Sequence, residues 1–575
     1  MEGGNAYMFP TSCKEVEALG WDYIDIIFFS GDAFVDHPSF GTAVIARWLQ
    51  KWGYRVAVVP QPNWRDDLRD FRKLGTPRLY FALNAGAMDS MVNHYTAGKR
   101  LRHDDAYTPD GKAGQRPDYA VTVYTRILKK LYPDIPVVIG GIEASLRRLT
   151  HYDYWQDRLF PSVLVDSGAD WLCYGMGERP MLGLTRGIEA GWSRHKMQSI
   201  PQVAFLAKGE PKVKDALVLH SYEECCASKK AFAENFNLIE THANMLHPDV
   251  IVEPVGDGYV QINPPYPPAS EAEMDSFWDL PFTKLPHPRY KGKRIPAYDM
   301  IKFSINTHRG CFGGCNFCTI AAHQGKFIQS RSEESILKEV KGLLSLPGFA
   351  GNISDLGAPT ANMYGMHGKD ESICAKCRRK SCLFPAPCKN LDRSHSRVLG
   401  LYHKVDSVKG IRHSYIGSGI RYDLFLDEEG YVDSTSKPYL RSLVLDHTSG
   451  RLKVAPEHTQ DNVLYYMAKP SFRLFERLRT EFDKINREAG RHSGIVPYFI
   501  SSHPGCTMHD MEQLARNPSL RGLFMEQVQD FTPTPMTTSS VMFYTGLDPR
   551  TLKPVFVERD PEKKKRQKSY FFKRK

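Results

Sequence analysis

The sequence lacks any apolar run that approaches roughly 18 residues, so it predicts no membrane-spanning helix. Its N-terminus has no basic stretch followed by an apolar one, which argues against a secretory signal. It also has no visible fixed-period repeat. Of the 575 residues, 42% are hydrophobic and 25% are charged, which excludes a wholly disordered chain, a collagen and a coiled coil. A globular protein of about three domains, or two large ones, is expected.

The sequence contains cysteines but no recognisable secretory signal, and this combination bears on where the protein is located. The 12 cysteines therefore predict a cytoplasmic protein, in which clustered thiols indicate metal ligands or catalysts rather than disulfides. The net charge of +11 is uneven, because residues 558–575 hold nine Lys or Arg and three Asp or Glu. The body of the chain is thus no obvious nucleic-acid-binding surface. In the tail, cations alternate with Tyr570, Phe571 and Phe572, which fits either RNA binding or a solvated terminus.

Strand and helix signals alternate through residues 1–200. The apolar runs at 23–31 and 136–144 indicate buried strands, and the periodicity over 40–53 indicates a helix. This alternation predicts a Rossmann-like α/β domain with a doubly wound parallel sheet, whose ligand crevice lies beyond the carboxyl ends of the strands. The following residues, 201–295, are rich in Pro and Tyr and are interpreted as a wrapping or linking segment.

A second alternating series covers residues 296–545. A strand at 301–307 is followed by a cysteine-rich loop, and Ser332 is a candidate N-cap of the next helix. The series predicts a parallel, barrel-like α/β domain with its chemistry at the carboxyl ends of the strands. The apolar run at 539–544 is interpreted as one of these strands. Residues 546–575 form a C-terminal extension that ends in the basic tail.

Three cysteines lie within eight residues of the second series, in the order Cys311, Cys315 and Cys318. Glycines at 310, 313 and 314 let this loop wrap closely round a bound group. Four thiolates would close a zinc or ferredoxin-like site, whereas three leave one metal position open. A fourth cysteine from elsewhere in the chain would close a structural site, so the count alone leaves both interpretations standing.

The C-x3-C-x2-C spacing after a strand, with Phe317 before the last cysteine, resembles the radical S-adenosylmethionine (SAM) superfamily. In that superfamily three thiolates hold a [4Fe–4S] cluster whose fourth iron binds SAM. One-electron reduction cleaves SAM and yields a 5′-deoxyadenosyl radical that abstracts hydrogen. The resemblance implies a partial (β/α) barrel, a [4Fe–4S] cluster and SAM as cofactors. It also implies a low-potential electron donor of the flavodoxin or ferredoxin type.

Three further segments extend the resemblance. They are SDLGAPTAN at 354–362, YIGSGIRYD at 415–423 and LKVAPEH at 452–458, although the first departs from the common Gly-Gly-Glu form. By this resemblance, the residues that contact the cofactor are Phe317, Asp355, Gly357, Ser418, Arg421 and Glu457. No residue is identified as a catalytic acid or base. The whole chain, including 527–549, resembles the YgiQ family (UPF0313 type), which leaves the substrate open.

A second cysteine cluster occupies a polar insertion at 370–392, with the spacing C-x2-C-x4-C-x5-C. It predicts a metal site that holds either structural Zn²⁺ or an auxiliary [4Fe–4S] cluster. Its members are Cys374, Cys377, Cys382 and Cys388. The remaining cysteines are expected to be structural, although Cys506 at a strand end is a further candidate.

The N-terminal region resembles the cobalamin-binding domains that precede many radical SAM barrels. Those that bind base-off cobalamin carry D-x-H-x-x-G, whose histidine ligates cobalt. Here Asp36 and His37 are adjacent, and the glycine is displaced to Gly41. We therefore expect a cobalamin-domain-like fold that does not bind cobalamin.

The leading hypothesis is a cytoplasmic radical SAM enzyme. In one version of this hypothesis the substrate is RNA or another macromolecule, which the basic tail helps to bind. In the other version the substrate is a small metabolite. The alternative is a non-catalytic zinc or iron–sulfur RNA-binding protein without radical chemistry. Metal analysis separates the two classes. No membrane partner is expected.

Overall fold

The computed structural model describes residues 8–211, 213–523 and 525–572. The described residues form two compact units, and short stretches of the middle of the chain belong to the second. The first unit comprises the residues up to 235 with 247–267 and 276–302, and the second comprises 236–246, 268–275 and those from 303 onward.

The strands alternate with helices along the first half of the chain. The strands are β1 (Ile26–Ser30), β2 (Val56–Pro60), β3 (Tyr80–Asn84), β4 (Val137–Gly140), β5 (His151–Asp153), β6 (Arg158–Phe160), β7 (Trp171–Cys173), β8 (Val203–Lys208), β9 (Leu217–Val218), β10 (Ile251–Val255) and β11 (Gly258–Ile262). The helices are α1 (Cys13–Ala18), α2 (Gly41–Lys51), α3 (Arg69–Arg72), α4 (Ser90–His94), α5 (Ala120–Leu131), α6 (Gly141–Leu146), α7 (Val163–Ser167), α8 (Glu178–Glu189), α9 (Arg194–Met197), α10 (Tyr222–Ala227), α11 (Lys229–Ala243), α12 (Glu271–Trp278) and α13 (Pro296–Ile301).

Nine of these strands form one sheet in the order β2-β1-β3-β4-β7-β8-β11-β10-β9. The first five are parallel, and each residue of β1, β2 and β3 is buried, because helices cover both faces of such a sheet. The order places the topological switch between β1 and β3. The prediction of an α/β fold with a doubly wound N-terminal sheet is confirmed, and the sheet continues through antiparallel strands.

The segment 201–295, interpreted above as a wrapping or linking segment, contributes four strands to this sheet. Strands β10 and β11 form a hairpin closed by two residues, Gly256 and Asp257. Gly256 has a φ of +55°, which suits a tight hairpin turn. The Pro and Tyr content of the segment hid this signal. The predicted domain boundaries stay a prediction.

The second unit begins at residue 303 in its main part, and its strands are short. They are β12 (Ser304–Asn306), β13 (His308–Arg309), β14 (Gln329–Ser330), β15 (Asn352–Ile353), β16 (Asp355–Gly357), β17 (His413–Ser414), β18 (Arg451–Glu457), β19 (Gly494–Ser501) and β20 (Gln527–Asp530). Its helices from this point are α14 (Ile320–Gln324), α15 (Glu333–Leu343), α16 (Glu371–Ala375), α17 (Ser396–Asp406), α18 (Ser436–Leu445), α19 (Asp461–Met467), α20 (Phe472–Glu488), α21 (Met508–Arg516), α22 (Thr538–Thr545) and α23 (Pro561–Ser569).

Parallel pairing dominates this unit, as expected of a partial barrel. β12 pairs with β16, β15 with β17, and β19 with both β18 and β20. Helix α15 shows how the layers form: Ser332 caps it by accepting a hydrogen bond from the Ser335 amide at 3.1 Å, which confirms the predicted N-cap. Its residues Ile336, Val340 and Leu343 are fully buried in the core of the unit.

The prediction of a strand at 539–544 is wrong, because these residues lie in α22. Thr537 caps this helix by accepting from the Ser540 amide, and Gly546 ends it with a φ of +74°. A short apolar run alone does not distinguish a buried helix from a strand. Among the described residues, no helix is long and apolar enough to cross a membrane.

Candidate metal centre

The loop that carries Cys311, Cys315 and Cys318 is bracketed by a small antiparallel pair, β13 with β14. The Cys311 amide donates to the Gly325 carbonyl at 3.1 Å, and the Cys318 amide donates to the Cys315 carbonyl at 3.1 Å. Gly310 has a φ of +91°, and a Cβ there would lie 2.2 Å from the Phe327 carbonyl oxygen. The loop therefore closes on itself only because position 310 has no side chain.

The three thiols are half-buried and face different neighbours. Cys311 Sγ lies 3.5 Å from Thr360 Oγ1, and the Arg421 guanidinium donates to Cys315 Sγ at 3.2 Å. Burial raises the pKa of Cys311, and burial with the two neighbouring thiols raises the pKa of Cys318 to about 12. Cys311 and Cys318 thus both lie within electrostatic reach of Cys315.

Arg421 is the charged group of this site. It is 7% exposed, and its guanidinium makes a bidentate ion pair with Asp423, with distances of 2.8 and 2.5 Å. Burial alone would lower the pKa of Arg421, but the Asp423 carboxylate and the Cys315 sulfur together raise it. The side chain is therefore a fixed cation held beside the thiols.

Asp355, Gly357 and Ser418 lie together at the carboxyl end of β16. Asp355 Oδ1 accepts from the amides of Gly417 at 2.8 Å and Ser418 at 3.0 Å, and Ser418 Oγ donates to Oδ2. A Cβ at Gly357 would lie 2.4 Å from Ser418 Oγ, so only glycine fits there. Burial raises the pKa of Asp355, although these hydrogen bonds act in the opposite direction. The carboxylate braces the 417–418 turn.

The remaining two predicted cofactor contacts are Glu457 and Phe317. Glu457 is buried, has a φ of +66° and lies 3.9 Å from Lys469. Burial raises the pKa of Glu457, although Lys469 and Arg421 act in the opposite direction. Phe317 packs edge-on against His503, with ring centroids 6.1 Å apart.

In the part of the chain that the structure describes, no group of three or more His, Cys, Asp or Glu side chains could hold a metal ion as it stands. In each cysteine loop the described thiols lie near one another but do not surround a single point at which one ion could bind. The donor set at 311–318 nevertheless fits a [4Fe–4S] cluster, because it offers three sulfurs, a fixed cation and glycines where a bound group would approach the backbone.

The second cysteine group lies in the insertion that contains α16, and all four of its thiols are half-buried. Cys382 touches the first loop, because its amide donates to the Phe312 carbonyl at 3.0 Å. Cys506 is fully buried, with its sulfur 3.6 Å from His458 Nε2. Burial raises the Cys506 pKa well above its ordinary value, which fits a structural residue.

The C-terminal extension is a docked helix rather than a solvated tail as far as residue 572. Phe571 is 1% exposed in the core of the second unit, and Tyr570 donates a hydrogen bond to Glu512 at 2.9 Å. Gln567 is buried and accepts from the Ser502 amide at 3.0 Å. Of the three tail aromatics, only Phe572 is exposed. The last cations of the tail, at 573–575, lie outside the described residues.

At the topological switch point of the first unit, polar side chains from β1, β3 and α2 bond to one another. Ser30 donates to Asn84 Oδ1 at 3.1 Å, and Asn84 in turn donates to Thr42 at 2.9 Å. His37 is 1% exposed, and its Nδ1 accepts from the Ser39 amide at 3.1 Å. Asp36 pairs with a buried arginine of α2.

Several residues of the site were missed by sequence reasoning. Thr360, Asp423 and the buried Lys326 all contact a cysteine or its partner, and Asn316 anchors the loop by donating to the Tyr466 carbonyl at 2.7 Å. Asp423 stands two residues after Arg421, and this short spacing is the one local signal that could have indicated the ion pair. The other contacts join distant parts of the chain.

Comparison with known proteins agrees with this architecture. The family described as "Radical SAM N-terminal" matches residues 8–304, and a domain of unknown function, DUF3362, matches residues 526–574. A UPF0313 protein of Bacteroides thetaiotaomicron is 56% identical and covers 98% of this chain and 93% of its own length. One of Porphyromonas gingivalis is 55% identical, covering 98% of this chain and 90% of its own length. The UPF0313 protein YgiQ of Escherichia coli K12 is 41% identical, covering 95% and 80%.

Among solved structures, the radical SAM methyltransferase TsrM of Kitasatospora setae, with cobalamin and a [4Fe–4S] cluster bound, has a similar fold. Its TM-score is 0.50 at 13% sequence identity, and the alignment covers 91% of this chain and 74% of that one. At this identity the likeness concerns the fold alone.

Proposed function

Because this chain belongs to the UPF0313 family and more than half of it matches the radical SAM N-terminal family, we propose that it is a radical SAM enzyme. Cys311, Cys315 and Cys318 would hold a [4Fe–4S] cluster that leaves one iron open for SAM. When bound, the cluster supplies the electron that cleaves SAM, and the resulting 5′-deoxyadenosyl radical abstracts hydrogen from the substrate. The observation that carries the proposal is the fixed cation of Arg421, 3.2 Å from the Cys315 sulfur.

Arg421 offsets negative charge where the thiolates would gather it. Three thiolates in a buried loop repel each other, and a guanidinium at hydrogen-bond distance from one of them reduces that cost. Asp423 fixes the guanidinium by its bidentate ion pair, so the cation stays in place when the loop is empty. Arg421 is thus a positioning and charge-balancing residue.

The turn at 417–419 is the part of this chain best suited to meet SAM. Asp355 holds the turn through two backbone amides, so its carboxylate braces the segment that would meet SAM, and its own contact with SAM stays a prediction. A Cβ at Gly419 would meet no described atom within 4 Å, so the turn has open space beside it. The Gly419 carbonyl accepts from the Ala361 amide at 2.9 Å, so the turn is held in place beside this space.

The substrate remains open between a macromolecule and a small metabolite. The argument for RNA rested on cations alternating with aromatics in the tail. Two of those aromatics pack against the protein, since Phe571 is buried and Tyr570 bonds to Glu512. Among the described tail aromatics, base stacking is therefore limited to Phe572, which weakens the hypothesis of an RNA substrate.

The test uses anaerobically reconstituted full-length protein with SAM and dithionite. We expect 5′-deoxyadenosine from the wild type and from Cys226→Ala, a control at an exposed cysteine, and none from Cys315→Ala. A second readout is the electron paramagnetic resonance (EPR) spectrum of the reduced protein, which should change on addition of SAM in the first two proteins only. A wild type that makes no 5′-deoxyadenosine and whose spectrum ignores SAM would overturn the proposal.

A further inference from the structure

The insertion at 370–392 folds back on itself through two short turns, each of which carries two of its four cysteines. The Cys377 amide donates to the Cys374 carbonyl at 3.1 Å, and the Cys388 amide donates to the Cys382 carbonyl at 2.7 Å. These two bonds join the cysteines in pairs. Asn390, two residues after Cys388, donates to the Cys374 sulfur at 3.4 Å, so the two pairs are adjacent.

Hydrogen-bond donors approach two of the four sulfurs, those of Cys374 and Cys377. The Arg379 amide lies 3.4 Å from Cys377 Sγ, and Asn390 Nδ2 lies 3.4 Å from Cys374 Sγ. A Cβ at Gly368 would lie 2.3 Å from Cys374 Sγ, so the backbone comes against this sulfur only because the residue is glycine. Donors directed at sulfur are the usual second shell of a metal-bound thiolate.

A buried lysine enters the same group from the first cysteine loop. Lys326 is 3% exposed, and its Nζ lies 3.9 Å from Cys377 Sγ and donates to the Arg379 carbonyl at 2.5 Å. This side chain therefore joins the first cysteine loop to the turn that carries Cys377.

The two cysteine loops contact each other through hydrogen bonds and pack against the same apolar cluster. The Cys382 amide donates to the Phe312 carbonyl, and Ser381 Oγ donates to the Gly313 carbonyl at 2.8 Å. Phe312 belongs to a small apolar cluster against which cysteines of both loops pack. Its buried members are Phe312, Met363, Met366, Leu383, Leu391 and Leu424. This apolar shell keeps water from that side of both groups of thiols.

We propose that Cys374, Cys377, Cys382 and Cys388 ligate a second iron–sulfur cluster of the [4Fe–4S] type. Hydrogen-bond donors at two of the sulfurs and an apolar wall shared with the first loop suit an iron–sulfur cluster, because such groups tune its reduction potential. A structural zinc ion bound by four thiolates is the alternative that the experiment below tests. All four iron positions of this cluster have a cysteine, so it would have no open site. The proposal stands whether or not the loop at 311–318 cleaves SAM.

The experiment separates the two sites in the full chain. The variant Cys311→Ala/Cys315→Ala/Cys318→Ala, reconstituted anaerobically, should keep about four iron and about four sulfide per chain. It should also give the EPR signal of a reduced [4Fe–4S] cluster. Adding Cys374→Ala and Cys377→Ala to it should remove both, while adding Cys226→Ala should change neither.

Two results would overturn the proposal: zinc without sulfide in the triple variant, or no stoichiometric metal in a triple variant whose circular dichroism matches that of the wild type. If the triple variant does not fold, the wild type decides the question. It should then hold about eight iron, falling to about four in Cys374→Ala/Cys377→Ala. A wild type with about four iron that keeps them all in that double variant would contradict a second cluster.

Discussion

Replacing Arg421 by glutamine should lower the reduction potential of the cluster at 311–318. The guanidinium lies 3.2 Å from Cys315 Sγ. At an effective dielectric constant of about 20, a unit charge at that distance is worth about 5 kcal/mol, or about 200 mV for one electron. The added electron is spread over a cluster that extends away from Cys315. We therefore expect roughly half of this value, a fall of about 100 mV.

Two further variants separate charge from damage to the fold. Arg421→Gln leaves the Asp423 carboxylate buried without its partner, which costs about 3–5 kcal/mol of stability. Arg421→Gln/Asp423→Asn removes both charges, so it should regain most of that stability and shift the potential less than the single variant does. Arg421→Lys keeps the cation but loses the bidentate geometry, and its potential should stay nearest to that of the wild type.

The assay is an anaerobic redox titration followed by EPR, done on the Cys374→Ala/Cys377→Ala background so that only the first site contributes. Thermal unfolding of the same proteins gives the stability changes. If Arg421→Gln and Arg421→Lys have the same midpoint potential within about 20 mV while both hold iron, then the cation does not act on the cluster. The charge-balancing role of Arg421 would then be refuted.

Three other outcomes are expected. Burial raises the pKa of Glu253 to about 7, so its stability contribution is full below its ordinary pKa of about 4.5 and is lost as pH rises to 7. The unfolding free energy of the wild type minus that of Glu253→Gln should therefore fall by roughly 3 kcal/mol over that window, because the other groups that titrate there are common to both proteins; a difference that stays constant in urea titrations at the two pH values would contradict this. Asp355→Asn should raise the SAM concentration for half-maximal EPR change several-fold with iron content unchanged, since its loss loosens the 417–418 turn. Phe571→Ala should cost about 3–5 kcal/mol in denaturant unfolding and Phe572→Ala almost nothing, a difference that disappears if the terminal helix is not docked.

Local signals carried most of the successful predictions from sequence. The strand at 23–31 and the helix that follows Ser332 were predictable because apolar spacing and an N-cap act within a few residues. The cysteine loop was visible for the same reason, since its three thiols and its glycines are neighbours in the chain. Parallel order in the first five strands followed from the alternation of elements.

What the sequence could not provide depends on contacts between distant residues. Arg421 meets Cys315 across 106 positions, and Lys326 meets Cys377 across 51. No spacing rule connects such residues, because the fold alone brings them together. The bracing by Asp355 depends on such contacts too, because its Oδ1 accepts from the amides of Gly417 and Ser418, 62 and 63 positions away.

The two cysteine loops cannot move independently, and this follows from backbone geometry rather than from any metal. Gly314 has a φ of +63°, and a Cβ there would lie 2.6 Å from the Ser381 Cβ, so the chains touch at that point. The Cys382 amide is tied to the Phe312 carbonyl one residue beyond Cys311. A change that spreads the second group of thiols must therefore pull on the first loop. Loss of the proposed second cluster should therefore weaken SAM binding at the first loop, because the backbone contacts behind Cys311 and Cys315 would loosen.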